Sequence, residues 1–332
     1  MAFFTKSLPA SKIGIQLQRL HSIACEFPLE IIIRICTFLP VDSLVAYGNT
    51  SGVNRIIVQD HIRRVVITEL SIFVKSPKVL LQNLANTQSI VSGSVALAAV
   101  IPFKLRNWRP IDLDIYTIDE HVSKWFDYIV SEGYRPAVGA RARRNNYGHC
   151  GIREVVSFTN SMGIKIDIVI TDHTSALTPI FNFYGSHVIN AITGHGVYCA
   201  YPTHTLHGRA MLNAATCPPN IAALPFVIQK CMVKYFKRGY HFATNAVIAI
   251  DSPHFCTVSK SCPHTVRDSV DNGALRLAFN NNVYPKHFVS NTMGVIFPYS
   301  CITEWTIGGT PCILDQTGID CAQTFSITEI NN

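Results

Sequence analysis

The chain has 332 residues, 28 Lys and Arg against 21 Asp and Glu for a formal net charge of +7, 48% hydrophobic residues and 15% charged ones. That apolar content excludes global disorder, and runs such as Ile31–Ile33 and Val91–Ile101 fall far short of the ~20 residues of a membrane span. Eleven cysteines without the framework of a short secreted domain point to reduced thiols in a cytosolic or nuclear protein.

Residues 1–26 read as an N-terminal extension. They hold Lys6, Lys12 and Arg19 with no acid before Glu26, a composition only loosely like a transit peptide. Phe27-Pro28-Leu29-Glu30 opens a helix, with Pro28 at the first helical position and Glu30 in the first turn. Ile31, Ile35, Phe38 and Leu39 are expected to form one core-facing stripe. Pro40 stops this helix. Asp42 or Ser43 caps a second, carrying Leu44 and Tyr47, and a third runs through Val53, Ile56, Ile57 and Ile62.

After a helix around Lys78–Leu84, the stretch Ser89–Ser92 reads as a strand entering Gly93-Ser94, and Val95–Val100 as a helix. Such a joint offers free backbone N–H groups and a hydroxyl to a phosphate. Pro110-Ile111-Asp112-Leu113-Asp114-Ile115-Tyr116 is a strand whose alternation puts Asp112 and Asp114 on one face. Two carboxylates so placed repel unless solvated or bridged by a cation, a need that Mg²⁺ suits. Ile152–Phe158 and Lys165–Ile170 form a hairpin through Asn160–Gly163, and Asp167 sits alone in the apolar second strand. A buried lone Asp requires a partner, so Asp167 is expected to complete a three-carboxylate site with Asp112 and Asp114.

A helix is expected within Thr178–Thr193, a strand over Val197–Ala200, and a helix over Leu224–Gly239 with Phe226, Ile228, Met232, Val233 and Phe236 apolar and Lys230, Lys234, Lys237 and Arg238 basic. Further β or mixed structure is expected over Ser269–Tyr284 and Val289–Phe297. The cluster Arg141, Arg143 and Arg144 reads as a solvated loop or as a contact for a phosphate-bearing ligand. His187, His195, His204 and His207, with Cys256, Cys262 and His264, invite a zinc reading. Their spacing fits no standard finger, so ordinary thiols and histidines are preferred.

Two resemblances organise these elements. Phe27-Pro28-Leu29-Glu30-Ile31, Ile35, Phe38-Leu39-Pro40, Ser43-Leu44, Thr50-Ser51 and Arg55 resemble, in order, an F-box, with Asn54 where that motif usually has an aromatic. This implies docking to the Skp-type linker of a cullin–RING ubiquitin ligase, with Pro28, Leu29, Ile31, Leu39 and Leu44 as contact residues. Gly93-Ser94, the Asp112-Leu113-Asp114 strand and the Ile166-Asp167-Ile168 strand resemble a nucleotidyltransferase fold of the polymerase-beta type. Together with Trp108 and Pro110 they look like a group of fungal proteins that join such a domain to an F-box-like start. The resemblance implies nucleotide phosphate binding by Gly93 and Ser94, Mg²⁺ held by Asp112, Asp114 and Asp167, and Asp167 as base. Seventeen residues separate Ser94 from Asp112, a longer insertion than most active members carry, and its Lys104, Arg106 and Arg109 either reach phosphates or stay solvated.

The expected fold is therefore α+β: a small helical F-box-like unit over 27–70, a nucleotidyltransferase-like mixed sheet with helices over 75–210, and a C-terminal helical and β extension over 211–332 packed on that core. Two functions follow. One is transfer of a nucleoside monophosphate from an NTP to a hydroxyl of RNA, protein or a small molecule. The other is a non-catalytic ubiquitin-ligase adaptor whose body binds a client.

Overall fold

The computed structural model describes residues 27–141, 151–217, 224–243, 255–279, 302–308 and 327–329. Expectations for 1–26, Arg143, Arg144 and Val289–Phe297 fall outside them. Three helices begin the described chain: α1 (Leu29–Cys36), α2 (Val41–Asn49) and α3 (Gly52–Leu70). Pro28 and Pro40 occupy the N-cap positions of α1 and α2, and Ser51 caps α3 by accepting a hydrogen bond from the Asn54 backbone N–H at 3.1 Å. The cap expected of Asp42 or Ser43 is therefore absent; Asp42 lies in the first turn of α2.

The apolar stripe of α1 faces the opposite way from the sequence expectation. Ile32 and Cys36 are buried, whereas Ile31, Ile35 and Phe38 are 43%, 48% and 50% exposed. The run Ile31-Ile32-Ile33 is apolar on both sides of the helix, so periodicity offers two candidate faces, and packing on α3 selects the one bearing Ile32 and Cys36. Leu44 is 3% exposed, inside the core, which removes it from any surface contact set; Leu29 and Leu39 are half-buried and Pro28 is exposed.

Helix α4 (Pro77–Thr87) leads to β1 (Ile90–Ser92), α5 (Gly93–Val100), β2 (Asp112–Thr117), α6 (Val122–Ser131), β3 (Arg135–Arg141), β4 (Ile152–Thr159) and β5 (Lys165–Thr171). The helix expected within 178–193 is instead two short 3-10 turns, Thr178–Asn182 and Ser186–Val188, followed by β6 (Asn190–Ile192). Gly185 lies between the turns, and the Asn213 amide donates to the carbonyls of Phe181 and Phe183, holding the irregular path. Then come β7 (Gly196–Cys199), α7 (Pro202–Thr205), β8 (Arg209–Met211), α8 (Phe226–Phe236), β9 (His241–Ala243), β10 (Arg267–Asp268), β11 (Leu275–Ala278), β12 (Thr303–Trp305) and β13 (Ile327–Glu329).

Eight strands form one mixed sheet in the order β11-β7-β6-β1-β2-β5-β4-β3, in which β2 and β5 run parallel and their neighbours antiparallel. The fold is mixed α/β. Strand alternation divides the sheet side chains between two cores. Val91, Leu113, Ile115, Ile166, Ile168, Val197 and Leu277 join the cluster that also takes in α1 to α5, so the N-terminal helices share one core with the sheet. Ile90, Tyr116, Val169 and Tyr198 join the other, with Phe181, Tyr201 and Trp305. The C-terminal region supplies the edge strand β11 rather than only packing on the outside. Among the described residues no helix is long and apolar enough to cross a membrane.

Candidate functional site

The β1–α5 joint, β2 and β5 meet at one end of the sheet. Register pairs Ser92 with Asp114 and Asp114 with Asp167, so these side chains sit on adjacent strands, on the face that carries Tyr116 and Val169 further along. The chain turns from β1 into α5 at Gly93, where φ is +66°, a left-handed conformation that glycine adopts without strain. A Cβ there would lie 2.5 Å from Asp114 Oδ2. Glycine is thus required twice over, by its dihedral and by the approach of the carboxylate. Ser94 donates to Asp112 Oδ1 over a long 3.4 Å, and Ser92 donates to the Asn190 carbonyl at 2.7 Å, leaving the first turn of α5 without a side-chain cap.

Gly93→Ala is expected to cost at least ~1 kcal/mol from its dihedral alone and to push Asp114 out of place. Thermal unfolding of the variant measures the first effect, and loss of any Mg²⁺-dependent shift in that unfolding measures the second.

The three aspartates differ in their surroundings. Asp112 and Asp114 keep part of their surface open to solvent, while Asp167 is buried at 8% exposure. The Asp167 oxygens are both engaged: Ser157 donates to Oδ1 at 2.6 Å and Lys165 Nζ to Oδ2 at 2.7 Å. Loss of hydration, then the charges of Asp112 and Asp167, push the Asp114 carboxyl up to about 8, against the pull of Lys165 and Lys234. Burial disfavours the Lys165 ammonium, yet its hydrogen bond to Asp167 and the charges of Asp167, Asp112 and Asp114 outweigh that and raise its pKa.

The structure therefore brings Asp112, Asp114 and Asp167 to one face but does not make them an assembled ligand set. Among the described residues no group of three His, Cys, Asp or Glu is arranged to hold a metal ion. Asp167, expected as a third metal ligand and as the base, is held by Ser157 and Lys165. The fit to a divalent cation narrows to Asp112 and Asp114. Two carboxylates with partial access to solvent, one of them crowded by its acidic neighbours, match Mg²⁺, which binds through one or two carboxylates plus phosphates.

Helix α8 covers this end of the sheet. Its buried member is Tyr235, and Phe226, Val227, Val233 and Phe236 face outward. Half-buried Lys234 turns toward the carboxylates and Cys231 also senses Asp112 and Asp114. The helix is held by an aromatic nest around His187, whose ring lies 4.6 Å from Tyr235, 4.8 Å from Tyr240 and 5.4 Å from Phe242. Burial, then Lys234 and Arg238, drive His187 down to about 3, so it stays neutral.

Arg109 is exposed and lies over the Phe103 ring at 5.3 Å; the cations that act on Asp114 are Lys165 and Lys234 instead. Lys165 was readable from sequence, since it lies two residues before Asp167 and so on the same strand face. Lys234 was not, because its position depends on the packing of α8. The histidines of the zinc reading do not gather: His204 Nε2 meets the Ser261 carbonyl and His207 Nδ1 the Thr203 carbonyl, each at 2.9 Å.

Comparison of the chain with protein-family models, with curated proteins and with solved structures finds no match in any of the three.

Proposed function

We propose that the chain is a nucleotidyltransferase that moves a nucleoside monophosphate from an NTP to a hydroxyl acceptor. The observation that carries this reading is the alignment of Gly93, Ser94, Asp112 and Asp114 at the uncapped N-terminus of α5, with Asp167 alongside. The backbone N–H groups at Gly93 and Ser94 bind phosphate oxygens. Lys234 approaches from α8 and adds positive charge to the same space. Asp112 and Asp114 would hold Mg²⁺, which neutralises triphosphate charge when bound. Asp167 can accept a proton from the incoming hydroxyl only after Lys165 leaves it, and Lys165 is already within the field of Asp112 and Asp114. The hydroxyl oxygen then bonds to the α-phosphorus and the bond to the bridging oxygen breaks, releasing pyrophosphate.

Purified protein incubated with Mg²⁺ and each labelled NTP is expected to release pyrophosphate, and Asp112→Ala to abolish the release. Absence of turnover with every NTP, together with no NTP-dependent rise in thermal stability, overturns the reading.

A second reading, a ubiquitin-ligase adaptor, is favoured by one feature: Phe27, Ile31, Ile35 and Phe38 leave an apolar surface on and around α1. It predicts capture of a Skp-type linker that the double change Ile31→Glu and Ile35→Glu abolishes; capture unaffected by the pair, or none at all, removes it.

A further inference from the structure

Two segments beside the carboxylates contain no acidic residue: 101–111, with three cations, and 224–243, with four. Phe226, Lys230, Lys234 and Arg238 recur every fourth residue and so lie along one side of α8 and its C-terminal turn. Cations and rings recur from α8 toward the 101–111 loop. Lys230 Nζ lies 4.3 Å from the Phe226 ring centre, and the Arg238 guanidinium lies 5.0 Å from Tyr235 and 4.2 Å from Trp108. Arg106 sits 5.3 Å from both Trp108 and Phe103, and Arg109 5.3 Å from Phe103. The two ends of the track are open to solvent, with Phe226 67% and Phe103 51% exposed. Among the described residues Arg106 alone in this track pairs with a carboxylate, that of Glu69. Arg238 Nη1 is shielded from solvent and has no acceptor there.

We propose that this track binds single-stranded nucleic acid, with phosphates at Lys230, Arg238 and Arg109 and unpaired bases stacked on Phe226 and Phe103. Cations supply charge complementarity to a polyanion, and exposed rings between them supply what a phosphate chain alone does not need, a flat partner for each base. A duplex hides its base faces and fits the track less well. The inference goes beyond nucleotidyl transfer, since binding requires neither cation nor turnover.

The test is fluorescence anisotropy of the full chain in EDTA with labelled oligo(U), oligo(dT) and a duplex, each about 12 nucleotides long, within the site size of such platforms. Both single strands are expected to bind more tightly than the duplex, and the tighter of the two identifies RNA or DNA as the source. Affinity is expected to fall with salt at a log–log slope of roughly −2 to −3, for three or four phosphate contacts. Arg109→Gln with Lys230→Gln flattens that slope by about 1.4. Phe103→Ala with Phe226→Ala weakens binding at least about thirtyfold at an unchanged slope. All four side chains are exposed, so an unchanged unfolding temperature certifies each variant. No binding at low salt, a duplex bound as tightly as the single strands, or a ring variant that binds like the parent overturns the proposal. Because the assay holds no Mg²⁺ or NTP, its failure leaves the transfer reaction to be judged on pyrophosphate release.

Discussion

Replacing Asp114 by Asn is expected to stabilise the cation-free protein at pH 8 while abolishing Mg²⁺-dependent pyrophosphate release. The sign follows from linkage. An ordinary Asp titrates near 3.8, and this carboxyl is pushed up to about 8 by burial and by Asp112 and Asp167. Below the lower value the folded and unfolded chains both carry the proton, and the group has no influence on stability. As pH rises between the two values, the unfolded chain ionises while the folded one stays protonated, so stability is lost across that window and is constant above it. Asn carries no such proton, and the decline should vanish. The gain at pH 8 is about 2 kcal/mol, discounted because the carboxyl keeps some solvent contact and titrates together with its neighbours. Urea denaturation of the parent and the variant from pH 4 to 9 measures it. A variant less stable than the parent at pH 8 contradicts this account of the site.

Arg267→Ala is expected to give the largest loss of stability, about 3–5 kcal/mol by urea denaturation. The Arg267 side chain is wholly buried and pairs with Asp271 through Nε and, at 2.8 Å, through Nη2. Nη1 donates to the Lys260 carbonyl at 2.6 Å and Nη2 to the Ala200 carbonyl at 3.0 Å. The guanidinium also lies 4.8 Å from the Tyr201 ring and 5.5 Å from Trp305, which stacks on Phe181. One side chain thus ties β10 and the 255–271 segment to the end of β7. Truncation leaves the Asp271 carboxylate, 5% exposed, without its main counter-charge. Arg267→Lys keeps the charge but loses the planar fork, so its cost should be smaller. A loss below ~1 kcal/mol for the alanine variant would place Arg267 outside the stabilising framework.

Much of the candidate-site end of the sheet was legible in sequence because it is local. Apolar alternation marks β2 and β5, Asn160 and Gly163 mark the turn between β4 and β5, and the strand–Gly-Ser–helix order marks the β1–α5 joint. The pairing of β2 with β5, and so the meeting of Asp114 with Asp167, followed from the need of a buried carboxylate for company. What sequence did not reveal depends on packing between distant elements. Ile31-Ile32-Ile33 fits either face of α1. The stretch 178–193 has helical-looking apolar content, yet its path is fixed by the Asn213 amide. Lys234 enters the site only because the nest around His187 seats α8 over it. The partner of Asp167 was local and still missed: Lys165, two residues before it on the same strand, donates to its Oδ2.

The central claim is that Asp112 and Asp114 form a divalent-cation site that holds a proton until the cation arrives. Calorimetric titration of Mg²⁺ into the protein at pH 7, in two buffers of different ionisation heat, tests it most directly. The account predicts saturable binding with release of roughly one proton per cation, since Asp114 is largely protonated at that pH and a ligand carboxylate must be ionised, and it predicts neither effect in Asp114→Asn. Binding without proton release, or a heat that persists unchanged in Asp114→Asn, contradicts it.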